Sequence, residues 1–164
     1  MGLVNTRFKT PSGLDDDEHH TTANELAIIA YNAMKNEDFR EICKRVTATV
    51  EFGNPPYKRT LYNHNRLLRT YEGTIGVKTG FTKKSGRCLV TAAARDGKKI
   101  IAVTLNAPND WQDHKNMLQY GLSKIIQTEI TPKKSEYEIP VISGTTESLT
   151  VKIKPFLLNS TESE

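Results

Sequence analysis

The dipeptide Asp96-Gly97 constrains this chain more than any other feature. It lies between two short apolar runs, Leu89–Ala94 and Ile100–Leu105. Asp-Gly supplies the left-handed backbone that a two-residue hairpin loop needs, so the runs are expected to pair as antiparallel strands. Helical patterns lie on both sides of them. Thr22-x-x-Glu25 is a capping box, followed by a stripe of Leu26, Ile29, Ala30 and Ala33 that ends near Lys35-Asn36. A second short helix is expected over Glu37–Lys44. A longer one is expected from Asp110 to Ile126, with Trp111, His114, Met117, Leu118, Leu122 and Ile125 at helical spacing as its packing stripe. Val46–Glu51 and Arg59–Asn63 flank the turn cluster Gly53-Asn54-Pro55-Pro56 and are expected as strands. The class implied is α/β (α+β), an antiparallel sheet flanked by helices.

Residues 127–164 differ in character. Glu138–Val141 and Leu149–Ile153 alternate like short strands around a Ser143-Gly144 turn, and Leu157–Glu164 is expected to be a frayed tail. The organisation expected is a main unit over 1–128 and the start of a β-rich unit over 129–164.

The net charge of +4 suits an anionic cell wall or membrane surface as well as nucleic acid. No basic run is interleaved with aromatics, so nucleic acid is not an expected partner. No stretch approaches the roughly 18 apolar residues of a membrane span, and Met1 does not open a signal peptide. Cys43 falls in a helical pattern and Cys88 opens an apolar run. Two buried free thiols are expected, with a disulfide as the alternative in an oxidising compartment. Asp15-Asp16-Asp17-Glu18 beside His19 and His20 could suggest a metal, but charge clusters in loops are mostly solvated, and no metal is assigned.

Chemistry enters at Lys78-Thr79-Gly80. Lys-Thr-Gly is one of three motifs of serine penicillin-recognising enzymes, the others being Ser-x-x-Lys and Ser-x-Asn. The flanks make the match specific. Thr10-Pro11-Ser12-Gly13-Leu14, His19-His20-Thr21-Thr22-Ala23 with Leu26-Ala27, Asn36–Ile42, Asn63–Leu68 and Thr104–Gly121 are similar to segments of the low-molecular-weight penicillin-binding proteins. Over about residues 4–126 the chain resembles the serine-type D-alanyl-D-alanine carboxypeptidases, peptidase family S11. The resemblance implies a partial β-lactamase/DD-peptidase-like fold and an extracytoplasmic enzyme of peptidoglycan maturation. It implies the stem peptide ending in D-Ala-D-Ala as substrate, inhibition by β-lactams, and no cofactor.

The implied roles match side-chain chemistry. Lys78 offers a compact positive charge, and Thr79 a hydroxyl for the substrate carboxylate. Gly80 allows close approach of a substrate backbone. The Phe81 N–H would be one of two oxyanion donors. Lys78 and Thr79 point to opposite faces of a strand, so both reach one cleft only from a sheet edge. His64 stands where many relatives have Arg, and Arg66 is a candidate stand-in for carboxylate binding. Asp113 and His114 receive no catalytic role from the resemblance and are taken as structural.

None of the eight serines has Lys three residues later or Asn two residues later. The expectation is therefore a C-terminal fragment, without the nucleophile and inactive alone. The strand over Ile100–Leu105 should then present an open apolar edge that pairs with an N-terminal half or with a second copy. Alternatives are a non-catalytic fragment that docks on peptidoglycan or a partner, and a β-lactamase-related hydrolase.

Overall fold

Asp96 and Gly97 both adopt positive φ, 51° and 74°, as a tight hairpin turn requires. This computed structural model describes residues 1–161. The elements, in order, are α1 (Ala23–Ala33), α2 (Glu37–Cys43), β1 (Thr47–Phe52), β2 (Tyr57–Tyr62), α3 (Leu67–Thr70), β3 (Thr74–Thr82), β4 (Gly86–Arg95), β5 (Lys98–Thr104), α4 (Asp110–Lys124), β6 (Ile125–Ile130), β7 (Glu136–Pro140), β8 (Ser148–Lys152) and β9 (Phe156–Thr161). The mixed α/β class is as expected, and the chain divides into two units, Met1–Leu122 and the residues from Ser123 on.

In the first unit β3, β4 and β5 form an antiparallel sheet with β4 in the middle. Leu89, Ala93, Ala102 and Leu67 bury against Leu118 of α4 on one face. Val77, Val90, Ala92 and Ala30 bury on the other, with Leu26, Met34, Phe39 and Cys43 around them. Leu118 is fully buried, so Leu118→Ala is expected to cost about 2–5 kcal/mol of stability. Urea denaturation measures this, and a loss below about 1 kcal/mol would contradict the packing. β1 and β2 form a separate ribbon, shifted one or two residues from the expected runs. Among the described residues, neither β3 nor β5 has a strand on its outer side.

The α1 cap differs from the expected box. The Thr22 hydroxyl accepts from the Glu25 amide at 3.2 Å. The Glu25 carboxylate does not reach back to Thr22. It accepts from the amides of Val4 at 2.8 Å and Asn5 at 2.9 Å, and from the Thr6 hydroxyl. Three donors from one segment satisfy a buried carboxylate better than a single cap amide does. The Thr6 bond, helped by the Asn5 and Val4 amides against the opposing effect of burial, holds its carboxyl below the usual range. The first residues are thereby tied to α1.

The C-terminal end of α4 also departs from expectation. The helix stops at Lys124, Met117 is 36% exposed, and Ile125 opens β6 instead of continuing the stripe. Leu157–Thr161 is not a tail: it belongs to β9, which pairs with β6 from Ile125↔Thr161 to Ile130↔Phe156. The expected fraying at 162–164 lies outside the described residues. In this second unit β7 and β8 form another ribbon, close to the two runs expected, with Tyr137↔Val151 and Ile139↔Leu149 sharing one apolar side.

Candidate functional site

The site is built on the outer edge of β3. Lys78 and Gly80 are exposed there and Thr79 is half-buried. The segment after β2 is laid alongside by two asparagines. Asn63 donates through Nδ2 to the carbonyls of Cys43 at 3.2 Å and Arg45 at 3.0 Å, and its Oδ1 accepts from the Asn65 amide at 2.9 Å. Asn65 is 1% exposed. It donates to the Gly76 carbonyl at 3.2 Å and accepts from the Leu67 amide at 3.0 Å. A buried amide satisfied on both ends fixes the loop, and so places His64 and Arg66 opposite Lys78.

Between these walls lies an open cleft of about 580 Å³. The structure brings all six residues singled out from sequence to it: His64, Arg66, Lys78, Thr79, Gly80 and Phe81. Both Lys78 and Thr79 reach it because β3 is an edge strand, and the Lys78 ammonium donates to the Thr79 carbonyl. A Cβ on Gly80 would meet only Cys88, at 3.8 Å, so internal packing does not demand glycine there.

The sequence reading gave no site role to six cleft residues: Tyr62, Arg69, Arg87, Cys88, Asp110 and Trp111. Arg87 donates from Nε and Nη2 to one oxygen of Asp110, at 3.1 and 3.0 Å. That oxygen also accepts from the Trp111 amide at 2.9 Å. The Trp111 ring has the Arg87 guanidinium 5.5 Å away and that of Arg66 5.9 Å away. The helix-start pattern at Asp110 was the available signal, but a partner on β4 has no local signature. Asp113 and His114 do not line the cleft. His114 is fully buried and bonded through Nε2 to the Thr104 hydroxyl at 3.0 Å.

The acidic run is engaged by neighbouring side chains. Asp15 accepts from the hydroxyls of Thr82 at 2.8 Å and Ser85 at 3.0 Å, Asp17 pairs with Lys84, and Glu18 pairs with Arg7 and Lys9. Cys43 and Cys88 are free thiols, each half-buried where burial was expected. Burial pushes the Cys43 thiol up, partly opposed by the charge of Lys78.

The family model of the D-alanyl-D-alanine carboxypeptidases, Peptidase S11, matches residues 1–109. The chain belongs to this family. It is 35% identical to the D-alanyl-D-alanine carboxypeptidase of a Streptomyces species over 130 residues, 75% of this chain and 45% of that protein. It is 37% identical to the Bacillus subtilis carboxypeptidase DacF over 110 residues, 65% of this chain and 27% of that protein. The crystal structure of a Streptomyces DD-transpeptidase superposes with a TM-score of 0.69 at 36% identity, covering 74% of this chain and 49% of that one. A penicillin-binding protein of Listeria monocytogenes in its cefotaxime-bound form gives a TM-score of 0.62 at 28% identity, covering 71% and 48%. The chain thus spans less than half the length of these relatives.

Proposed function

We propose that this chain supplies the substrate-carboxylate wall of a serine-type D-Ala-D-Ala carboxypeptidase of peptidoglycan maturation, working at the outer face of the membrane or in the cell wall. The observation that carries the reading is the convergence of Lys78, Thr79, Gly80 and Phe81 on one cleft at an unpaired strand edge. Lys78 and Thr79 would hold the terminal carboxylate, Gly80 would let the peptide backbone approach, and the Phe81 amide would face the developing oxyanion. His64 and Arg66 would line the mouth of the cleft beside that wall. β-Lactams would occupy the same cleft. The serine that attacks the D-Ala-D-Ala amide is not supplied by these residues, since no Ser-x-x-Lys is present.

Equilibrium binding tests the reading. Acetyl-D-Ala-D-Ala is expected to bind the purified chain, and Thr79→Val to weaken it about tenfold or more through loss of a hydrogen bond to a charged group. Equal affinity in both proteins would sink this assignment.

A second reading rests on the open edge of β5. The chain would act as a docking fragment that pairs there with another polypeptide, through main-chain hydrogen bonds along Lys98–Thr104.

A further inference from the structure

We propose that the Arg66–Trp111–Arg87 wall is a second carboxylate subsite, which takes an acidic group of the stem peptide while the terminal carboxylate lies at Lys78 and Thr79. This rests on the reading of the cleft as the D-Ala-D-Ala site and deepens it to a substrate class, peptides with two carboxylates.

Charge carries the first part of the argument. Four permanent cations line the cleft: Arg66, Arg69, Lys78 and Arg87. Asp110 is the one acid among its lining residues, and it is 3% exposed and engaged by Arg87 through two hydrogen bonds. Among the described residues no carboxylate pairs with Arg66, Arg69 or Lys78. One terminal carboxylate therefore leaves two cations without a counter-charge. The cleft also holds far more than a single terminal residue, since 580 Å³ falls in the range of sites for drug-sized ligands.

Geometry carries the second part. Buried Asp110 fixes Arg87, and the Trp111 indole, within 5.9 Å of the exposed Arg66 guanidinium, restrains it. A guanidinium restrained on an aromatic face keeps its N–H edge free for a carboxylate and loses little freedom on binding it. The wall is thus organised before any ligand arrives, which a loose cluster of surface lysines is not.

The experiment compares two peptides on the full chain: acetyl-Ala-D-Ala-D-Ala, and the same sequence extended by γ-D-Glu, whose free α-carboxylate is the one added charge. The extended peptide is expected to bind about tenfold tighter at low salt. The gain should shrink as ionic strength rises. In Arg66→Gln the ratio of the two affinities is expected to fall below about twofold, and Arg66→Lys should recover only part of it. Equal affinity for the two peptides, or a gain untouched by Arg66→Gln, overturns the subsite and leaves the reading of the cleft standing. Binding of neither peptide overturns both.

Discussion

Purified alone, the chain is expected to take up no fluorescent penicillin, with its intact mass unchanged after incubation. Among the described residues no cleft hydroxyl or thiol is hydrogen-bonded to a general base: Lys78, Thr79 and the Phe81 amide would hold a carboxylate and an oxyanion, and the Cys88 thiol donates to the Ser85 carbonyl. Removing the nucleophile of a serine hydrolase lowers turnover on the order of 10⁶-fold, so hydrolysis of D-Ala-D-Ala peptides should be undetectable. The open edge of β5 supplies the complementary arm. A second polypeptide that carries Ser-x-x-Lys and Ser-x-Asn and pairs along Lys98–Thr104 is expected to restore labelling, with the label on that polypeptide's serine. A stoichiometric adduct on the isolated chain would overturn the proposal, and peptide mapping would then locate the residue responsible.

Acid should unfold the first unit in a window set by His114. Burial pushes this imidazole down from 6.5 to about 4, against the smaller upward pull of Asp110 and Asp113. The folded state therefore holds it neutral where the unfolded chain binds a proton. The stabilisation is complete above about pH 6.5 and is lost as pH falls toward 4. The full span corresponds to about 3 kcal/mol. Among the described residues Nδ1 is buried with no hydrogen-bond partner, so an N–H carried there has no acceptor. Denaturation curves from pH 7 to pH 4 test this: His114→Gln should flatten the dependence even if it lowers stability at neutral pH. An unchanged slope in that variant would remove His114 as the cause.

What could be read from the sequence was local. The Asp96-Gly97 hairpin, the Thr22 cap and most of the α4 stripe each lie within a few residues of their own signal, and the structure has them. Failures came where a distant segment competed. Glu25 looked like half of a capping box until the amides of Val4 and Asn5, 21 and 20 residues away, claimed its carboxylate. Ile125 continued a helical period, but pairing with Thr161 drew it into a strand. Leu157–Glu164 read as a frayed tail because the strand that pairs with its residues up to Thr161 lies 28 or more residues upstream and no turn joins them. The same holds in the cleft. Lys78–Phe81 form one contiguous motif, whereas the Arg87–Asp110 pair spans 23 residues and left no pattern to find.

β4 is buried on both sides, and the two sides are nearly interchangeable. Leu89 and Ala93 face α4, Val90 and Ala92 face α1, and each set is small and apolar. In most sheets a one-residue slip would turn oily side chains into water, and that penalty keeps the strands aligned. Here a slip would exchange one oily set for another, so the hydrophobic pattern is a poor ruler. The turns at the two ends of β4 must do the measuring instead: the left-handed pair Asp96 and Gly97 for β5, and residues 83–85 for β3. Because Lys78, Thr79 and Gly80 are set by their partners Val90, Leu89 and Cys88, the alignment of this cleft wall is dictated from the short turn over residues 83–85 that joins β3 to β4, where Gly86 takes φ 66°.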